Sequence, residues 1–321
     1  MLRKQFFPCL IALLAIMTVG LPGAMAETTR LSIGTAGTAG GLYAYGGAIA
    51  SVVSKYVPEL SVTAEATGGS VEDLKLLDKK QVEIATVGND VLHQAFYDFK
   101  NSKYFNHQID VRALFNMYTQ PTHVVTLADS NVKQINDIKG KRIGVGSPGS
   151  GTEVKSRAIL QALGITYKDF KPEFLSFNEA AEALQDKTIA AEFLGSPIPN
   201  ASVESLALTN GIRLISFMDS EADKIIKAYP YLKKAVIPAG AYKGVDKDTH
   251  TIAIQTIAIC RTDIPEDVIY KFVKAVFEHK ADLNVIHPSL RETTLENATP
   301  TSIPLHPGAM KYFKEKNAYK E

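Results

Sequence analysis

Twice in this chain a short apolar run ends in a glycine-rich turn that opens a helical pattern. No other feature of the sequence limits the fold as much. The first instance runs Leu31-Ser32-Ile33 into Gly34-Thr35-Ala36-Gly37-Thr38-Ala39-Gly40-Gly41, and a helical pattern follows over residues 42–56. The second runs through residues 141–145 into Gly146-Ser147-Pro148-Gly149-Ser150-Gly151, with a helical pattern over 153–163. A strand that hands over to a helix through a tight turn is the unit of parallel sheets covered by helices. The expected class is therefore α/β.

The order of elements around these turns is also shared. After the first unit, residues 60–66 read as a strand, and Thr67-Gly68-Gly69-Ser70 leads into a helix over 71–79 with Ser70 as its cap. A strand over 82–87 and a helix over 91–99 follow, then two strands over 112–118 and 123–127 separated by Gln120-Pro121. After the second unit come a strand over 173–177, a helix over 179–186, a strand over 190–194 and the turn Gly195-Ser196-Pro197. A helix over 202–208 and a strand over 213–217 complete that block. Beyond a long strand over 251–260, Pro265 opens an amphipathic helix through Phe277. The Pro- and Thr-rich tail is expected to wrap one lobe as loops before a short polar helix. This order predicts two α/β lobes, residues 27–119 with 258–321 and residues 120–257. Two crossing segments without a long linker would form a hinge.

The first residues read as a leader. Arg3 and Lys4 precede an apolar run over 6–20, and Ala24-Met25-Ala26 has the small-x-small pattern of a cleavage site. That is a secretory signal peptide over 1–26, since the run falls short of the ~20 residues that span a bilayer. Export to the periplasm is expected. Cys9 lies inside the apolar run and not at the cleavage point, which argues against a lipoprotein. Cleavage leaves Cys260 as the one thiol, with no partner for an internal disulfide; its apolar neighbours Ile257-Ala258-Ile259 predict burial. It also leaves 33 basic against 34 acidic side chains, a balance that suits neither nucleic acid nor an acidic membrane surface.

The turns carry the chemistry. Each follows the carboxyl end of a strand, where open α/β sheets bind ligands. The backbone N–H groups at the helix starts, with the small side chains around them, suit an anion. Thr35, Ala36, Gly37 and Thr38 belong to the first turn, and Ser147, Ser150, Gly151 and Thr152 to the second. Ser70, Asn89, Gly195 and Pro197 are further candidates at strand ends, and Tyr43 would add an aromatic wall. The second turn nearly matches a phosphate-binding loop, but Thr152 stands where that motif needs Lys. It also spells G-x-G-x-x-G at Gly144, Gly146 and Gly149, yet Asp169 precedes the next strand instead of ending it, as a dinucleotide site would need. No nucleotide or other cofactor is expected. The seven histidines are scattered, with no H-E-x-x-H helix, G-x-S-x-G elbow or Cys/His cluster, so no metal or catalytic motif stands out.

Three segments, taken in order, carry a resemblance. They are residues 33–43, Thr67-Gly68-Gly69-Ser70-Val71-Glu72, and residues 139–152. The chain resembles the TAXI-type substrate-binding subunits of TRAP (tripartite ATP-independent periplasmic) transporters from Leu31 to about Tyr312. The resemblance implies a type II periplasmic-binding-protein fold and a monomer that captures a glutamate-like or C4/C5 dicarboxylate ligand. It would deliver that ligand to a membrane permease driven by an ion gradient. The ligand positions it implies are Thr35, Ala36, Gly37, Thr38, Tyr43, Ser70, Asn89, Ser147, Ser150, Gly151 and Thr152. The related DctP-type proteins clamp a carboxylate with an Arg on the strand before the second turn. Here that strand reads Ile143-Gly144-Val145 with Arg142 earlier, which favours helix dipoles and hydroxyls as the clamp. A periplasmic enzyme using the same cleft, or a ligand-binding partner of a membrane sensor, are the competing expectations.

Overall fold

The computed structural model describes residues 28–319. The expected leader over 1–26, with Cys9, lies outside the described residues. Among the described residues no helix is long and apolar enough to cross a membrane.

The first half of the chain runs β1 (Thr29–Gly34), α1 (Gly41–Tyr56), β2 (Leu60–Glu65), α2 (Ser70–Asp78), β3 (Ile84–Gly88), α3 (Asn89–Phe96) and β4 (Val111–Leu127). Then come β5 (Arg142–Gly144), α4 (Gly151–Ala162), β6 (Lys171–Glu173), α5 (Phe177–Gln185), β7 (Ala191–Gly195), α6 (Ala201–Thr209) and β8 (Ile212–Leu214). The chain closes with α7 (Asp219–Ala228), β9 (Lys233–Ile237), β10 (Thr249–Arg261), α8 (Glu266–Glu278), α9 (Lys280–Asn284), α10 (Leu295–Ala298) and α11 (Pro307–Glu315).

The strands form one path in the order β2-β1-β3-β10-β4-β7-β5-β6, with β8 on β4 and β9 on β10. β1 is parallel to both β2 and β3, and β5 is parallel to both β6 and β7. The long strands β4 and β10 are antiparallel to each other and reach from one half of the molecule into the other. Near Gly88 β10 pairs with β3, and further back it pairs with β9. β4 likewise pairs with β7 and β8 beyond Pro121. The register between β4 and β10 slips at Gln255/Ile257, beside the Pro121–Ala253 pair. Pro121 has no N–H for a ladder, so it is tolerated where the strand leaves one sheet for the next.

Two groups of apolar side chains flank this crossing. One gathers residues from Leu31 to Tyr118 and from Ile257 to Phe313, including Ile33, Leu74, Val87, Phe115 and Phe272. The other lies between Val124 and Ile254, with Ile143, Ile159 and Phe193 on one face and Leu184, Leu194 and Val203 on the other. α8 buries Val268, Ile269, Phe272, Val273 and Val276 along one stripe, each such side chain contributing ~1.5–3 kcal/mol. Cys260 is buried, as its apolar neighbours predict.

Several expectations need correction. The strands expected over 112–118 and 123–127 are one strand, because β10 pairs with β4 through Gln120-Pro121. Ser70 is not the cap of α2. Gly69 holds that place, and the Ser70 hydroxyl instead accepts from the Gly88 N–H at 3.1 Å. The strand expected over 173–177 ends at Glu173; Phe177 already begins α5, whose Ser176/Glu179 capping box fixes the start. Helix α7 and strand β9 have no counterpart in the sequence reading. The tail closes on a helix as expected, but that helix is not polar throughout. α11 buries Tyr312 and Phe313 against α8.

Candidate functional site

Five helices begin around one cavity of about 180 Å³. Its wall holds Gly40, Gly41 and Leu42 of α1, Gly69 and Ser70 of α2, and Gly88 before α3. From the opposite half it holds Ser150, Gly151 and Thr152 of α4 and Ser176, Phe177 and Asn178 of α5. An α-helix leaves its first N–H groups without intrahelical partners. α4 and α5 satisfy one each through their serine caps, Ser150 to Glu153 N and Ser176 to Glu179 N. The caps of α1, α2 and α3 are Gly40, Gly69 and Gly88, which provide no side-chain cap bond. α2 and α3 spend one first-turn N–H each, Val71 on the Gly149 carbonyl and Val91 on the Asp90 carboxyl, and the remaining donors at the positive ends of the helix dipoles converge on the cavity from both sides. Gly69 takes φ +106°, a conformation that glycine alone adopts freely, and its side faces Ser150 across the gap.

No residue lining the cavity is charged. Charge stands behind the wall. Lys155, on α4, is 1 % exposed, and its Nζ donates to Oε1 of Gln120, a lining residue on β4, at 3.1 Å. Burial pulls this ammonium down to about 8, and the opposing attraction of Asp90 is smaller. Asp90 is itself buried beneath Gly88, with its carboxyl pushed up by desolvation and Oδ2 unpartnered. Tyr118 reaches the same floor. Its buried hydroxyl lies 3.0 Å from where a Cβ on Gly41 would stand, beside the Gln120 side chain.

Among the expected ligand residues, Ala36, Gly37, Thr38, Ser70, Ser147, Ser150, Gly151, Thr152 and Gly195 line the cavity. Thr35, Tyr43, Asn89 and Pro197 do not. Thr35 is fully buried and spends its hydroxyl on the Glu65 carbonyl at 2.7 Å, tying the first turn to β2. Asn89 Oδ1 accepts from the Ser302 hydroxyl in the tail. Tyr43 is partly exposed on α1, outside the wall. Pro197 packs against Gly41 and so sits behind the wall. Arg142 pairs with Glu173 at 3.2 Å, and among the described residues no arginine lines the cavity. Glu192 is buried and lines nothing; neither carboxyl oxygen has a partner.

Sequence reasoning missed Gln120, Ser176, Phe177 and Asn178. The S-x-x-E pattern at Ser176/Glu179 marks a helix start and was a usable signal. Gln120 had none, because its place depends on β4 running unbroken between the halves.

The two halves meet around the cavity. The Asn200 amide donates to the Ala39 carbonyl at 3.2 Å, and His287 Nε2 lies 3.0 Å from the Pro199 carbonyl. At the other edge Tyr104 donates to the carboxylate of Glu153, which also holds Arg157.

The model of the NMT1-like family matches residues 33–316. Among solved structures, the chain is similar to a binding-protein component of a phosphonate ABC transporter from Pseudomonas aeruginosa. That match has 13% identity, covers 84% of this chain and 81% of that one, and has a TM-score of 0.57. A Xanthomonas citri protein solved bound to ATP matches at 10% identity over 91% of this chain and 96% of that one, with a TM-score of 0.51. A putative L-cystine ABC transporter protein from Listeria monocytogenes matches at 13% over 82% and 96%, with a TM-score of 0.50. At such identities the likeness establishes the fold, the two-lobed α/β type II fold of periplasmic binding proteins.

Proposed function

The chain belongs to the NMT1-like family, and from that premise we propose that it is an extracytoplasmic solute-binding protein that closes two lobes on a small carboxylate. The carrying observation is the convergence of helix N-termini from both sides, α1, α2 and α3 without side-chain caps facing the serine-capped α4 and α5, on a cavity lined by no charged side chain. Such a site neutralises an anion with fixed N–H groups and dipoles. The cavity is smaller than the ~300–1,000 Å³ of drug-sized pockets, which suits a ligand of few heavy atoms. In this reading residues 27–119 with 258–321 form one lobe, residues 120–257 the other, and β4 and β10 the hinge between them. Ligand capture shifts the population from open to closed.

The ligand class is a glutamate-like or C4/C5 dicarboxylate, and the receiver is a membrane permease of the TRAP type. The likeness to TAXI-type subunits in the three turn segments supports both. Thr38, Ser70, Ser147, Ser150, Gly151 and Thr152 are the proposed contacts. Binding is favoured over catalysis because no histidine, cysteine, lysine or carboxylate lines the cavity to serve as base or nucleophile.

The test is a thermal-shift screen of the leaderless protein after unfolding and refolding to strip carried ligand. The panel holds carboxylates, amino acids, sugars and nucleotides. A ligand at 100 times its dissociation constant adds ~2.7 kcal/mol of stability. A response among the carboxylate-bearing ligands supports the proposal, and a response to sugars or nucleotides alone rejects it.

A further inference from the structure

Three hydroxyls of the cavity keep a proton to donate, whereas the lining Ser176 spends its own on the Glu179 carboxylate. The Ser70 hydroxyl accepts from Gly88 N at 3.1 Å, Ser150 from Glu153 N at 3.1 Å, and Thr152 from Gly195 N at 3.3 Å. Each therefore has its proton left to offer. Main-chain carbonyls of the wall already accept one bond each: Ala36 from Thr67 N, Gly37 from Gly40 N, and Ala39 from the Asn200 amide. Gln120 is fixed by Lys155. An ammonium only donates, so the amide oxygen must face it, and the NH₂ end is left as the donor. Asn178, whose amide can present either end, is exposed at the rim.

We infer that the cavity takes an oxyanion that carries no ammonium group, such as a dicarboxylate or a 2-oxo or 2-hydroxy acid, and rejects amino acids of the same length. The inference rests on the carboxylate reading above and narrows it. An amino acid would set its ammonium against the Gln120 donor, with Lys155 as a like charge behind it; the carboxylates of Glu72, Asp90 and Glu179 stand behind the wall, engaged with or screened by Gly68, Gly88 and Ser176, and none lines the cavity. An unpaired buried ammonium is strongly unfavourable. Lys155 and Gln120 are then specificity-determining residues. Lys155 acts through Gln120, holding its amide in the donating orientation.

The experiment titrates the stripped full-length mature protein with matched pairs, 2-oxoglutarate against L-glutamate and succinate against L-aspartate. The expected result is at least tenfold tighter binding of the ammonium-free member. Equal or tighter binding of the amino acids overturns the inference and leaves the carboxylate reading standing. Binding of none of the four, by protein whose circular dichroism shows it has refolded, overturns both. Gln120→Glu turns the donor into an acceptor and should shrink or reverse the ratio. Lys155→Met frees the amide to turn and serves if the first variant does not fold. A ratio unchanged in a folded variant overturns the role of this pair.

Discussion

The hydroxyl of Tyr104 donates to the carboxylate of Glu153, and this bond joins the two halves of the molecule next to the ligand cavity. Glu153 directly follows Thr152, so α4 carries a cavity residue and an interlobe anchor side by side. Arg157 and Lys103 share the same carboxylate, which is held below the usual glutamate range despite burial by bonds to Tyr104 and Arg157. Tyr104→Phe should therefore weaken the closed form. A hydrogen bond to a charged group contributes ~1.5 kcal/mol, so affinity should fall about tenfold. Calorimetric titration of the variant and the parent with one ligand measures this.

Gly41 is a contact between the halves in which no side chain fits. A Cβ there would overlap the ring of Pro197 and approach Tyr118 Oη at 3.0 Å. Gly41→Ala should wedge the lobes apart. The expected outcome is a loss of ligand affinity of at least ~100-fold, ~2.7 kcal/mol. The melting temperature of the ligand-free protein should change little, since alanine favours the first turn of α1. A variant that binds normally would show that closure tolerates this methyl.

Glu192 ties stability to pH. Burial alone pushes its carboxyl up to about 8, and neither oxygen finds a hydrogen bond. In the unfolded chain the same group titrates near 4.3. Between these values the folded state keeps a proton that the unfolded state has lost. The stabilising contribution is thus full below the unfolded value and declines as pH rises toward the folded one. At 1.36 kcal/mol per unit of pKa difference this amounts to a few kcal/mol. Glu192→Gln should flatten that decline and melt above the parent at pH 8. Denaturant unfolding at pH 5 and pH 8 checks both.

Much of this was legible because it is local. A strand, a run of small residues and a helix make a turn whose N–H groups must point outward, and Gly37, Ser147 and Gly151 reach the cavity on that logic. What failed was tertiary. Thr35 sits in the same turn as Thr38, but its hydroxyl was taken by the Glu65 carbonyl across the sheet. Asn89 has the right strand-end position, yet the tail supplies Ser302 as its partner from more than two hundred residues away. In the sequence Gln120 reads as part of a break, because Pro121 follows it. The pairing of β4 with β10 makes it the floor of the site.

Cys260 offers a probe of the sheet that both ends of the chain complete. It lies fully buried on β10 between β3 and β4, and burial pushes its thiol up, so it stays protonated at any ordinary pH. The thiolate is the reactive form. The native mature protein should resist a thiol reagent at pH 8 and react with one equivalent on unfolding, as followed by absorbance.

The most direct measurement is a crystal structure of the stripped protein reloaded with the tightest ligand of the panel. The account predicts an acidic group of the ligand among the helix N-termini, its oxygens within about 3 Å of the Gln120 amide nitrogen and the Thr152 main-chain nitrogen. A ligand seated outside this cavity, or one that turns a neutral or cationic end to these donors, would contradict it.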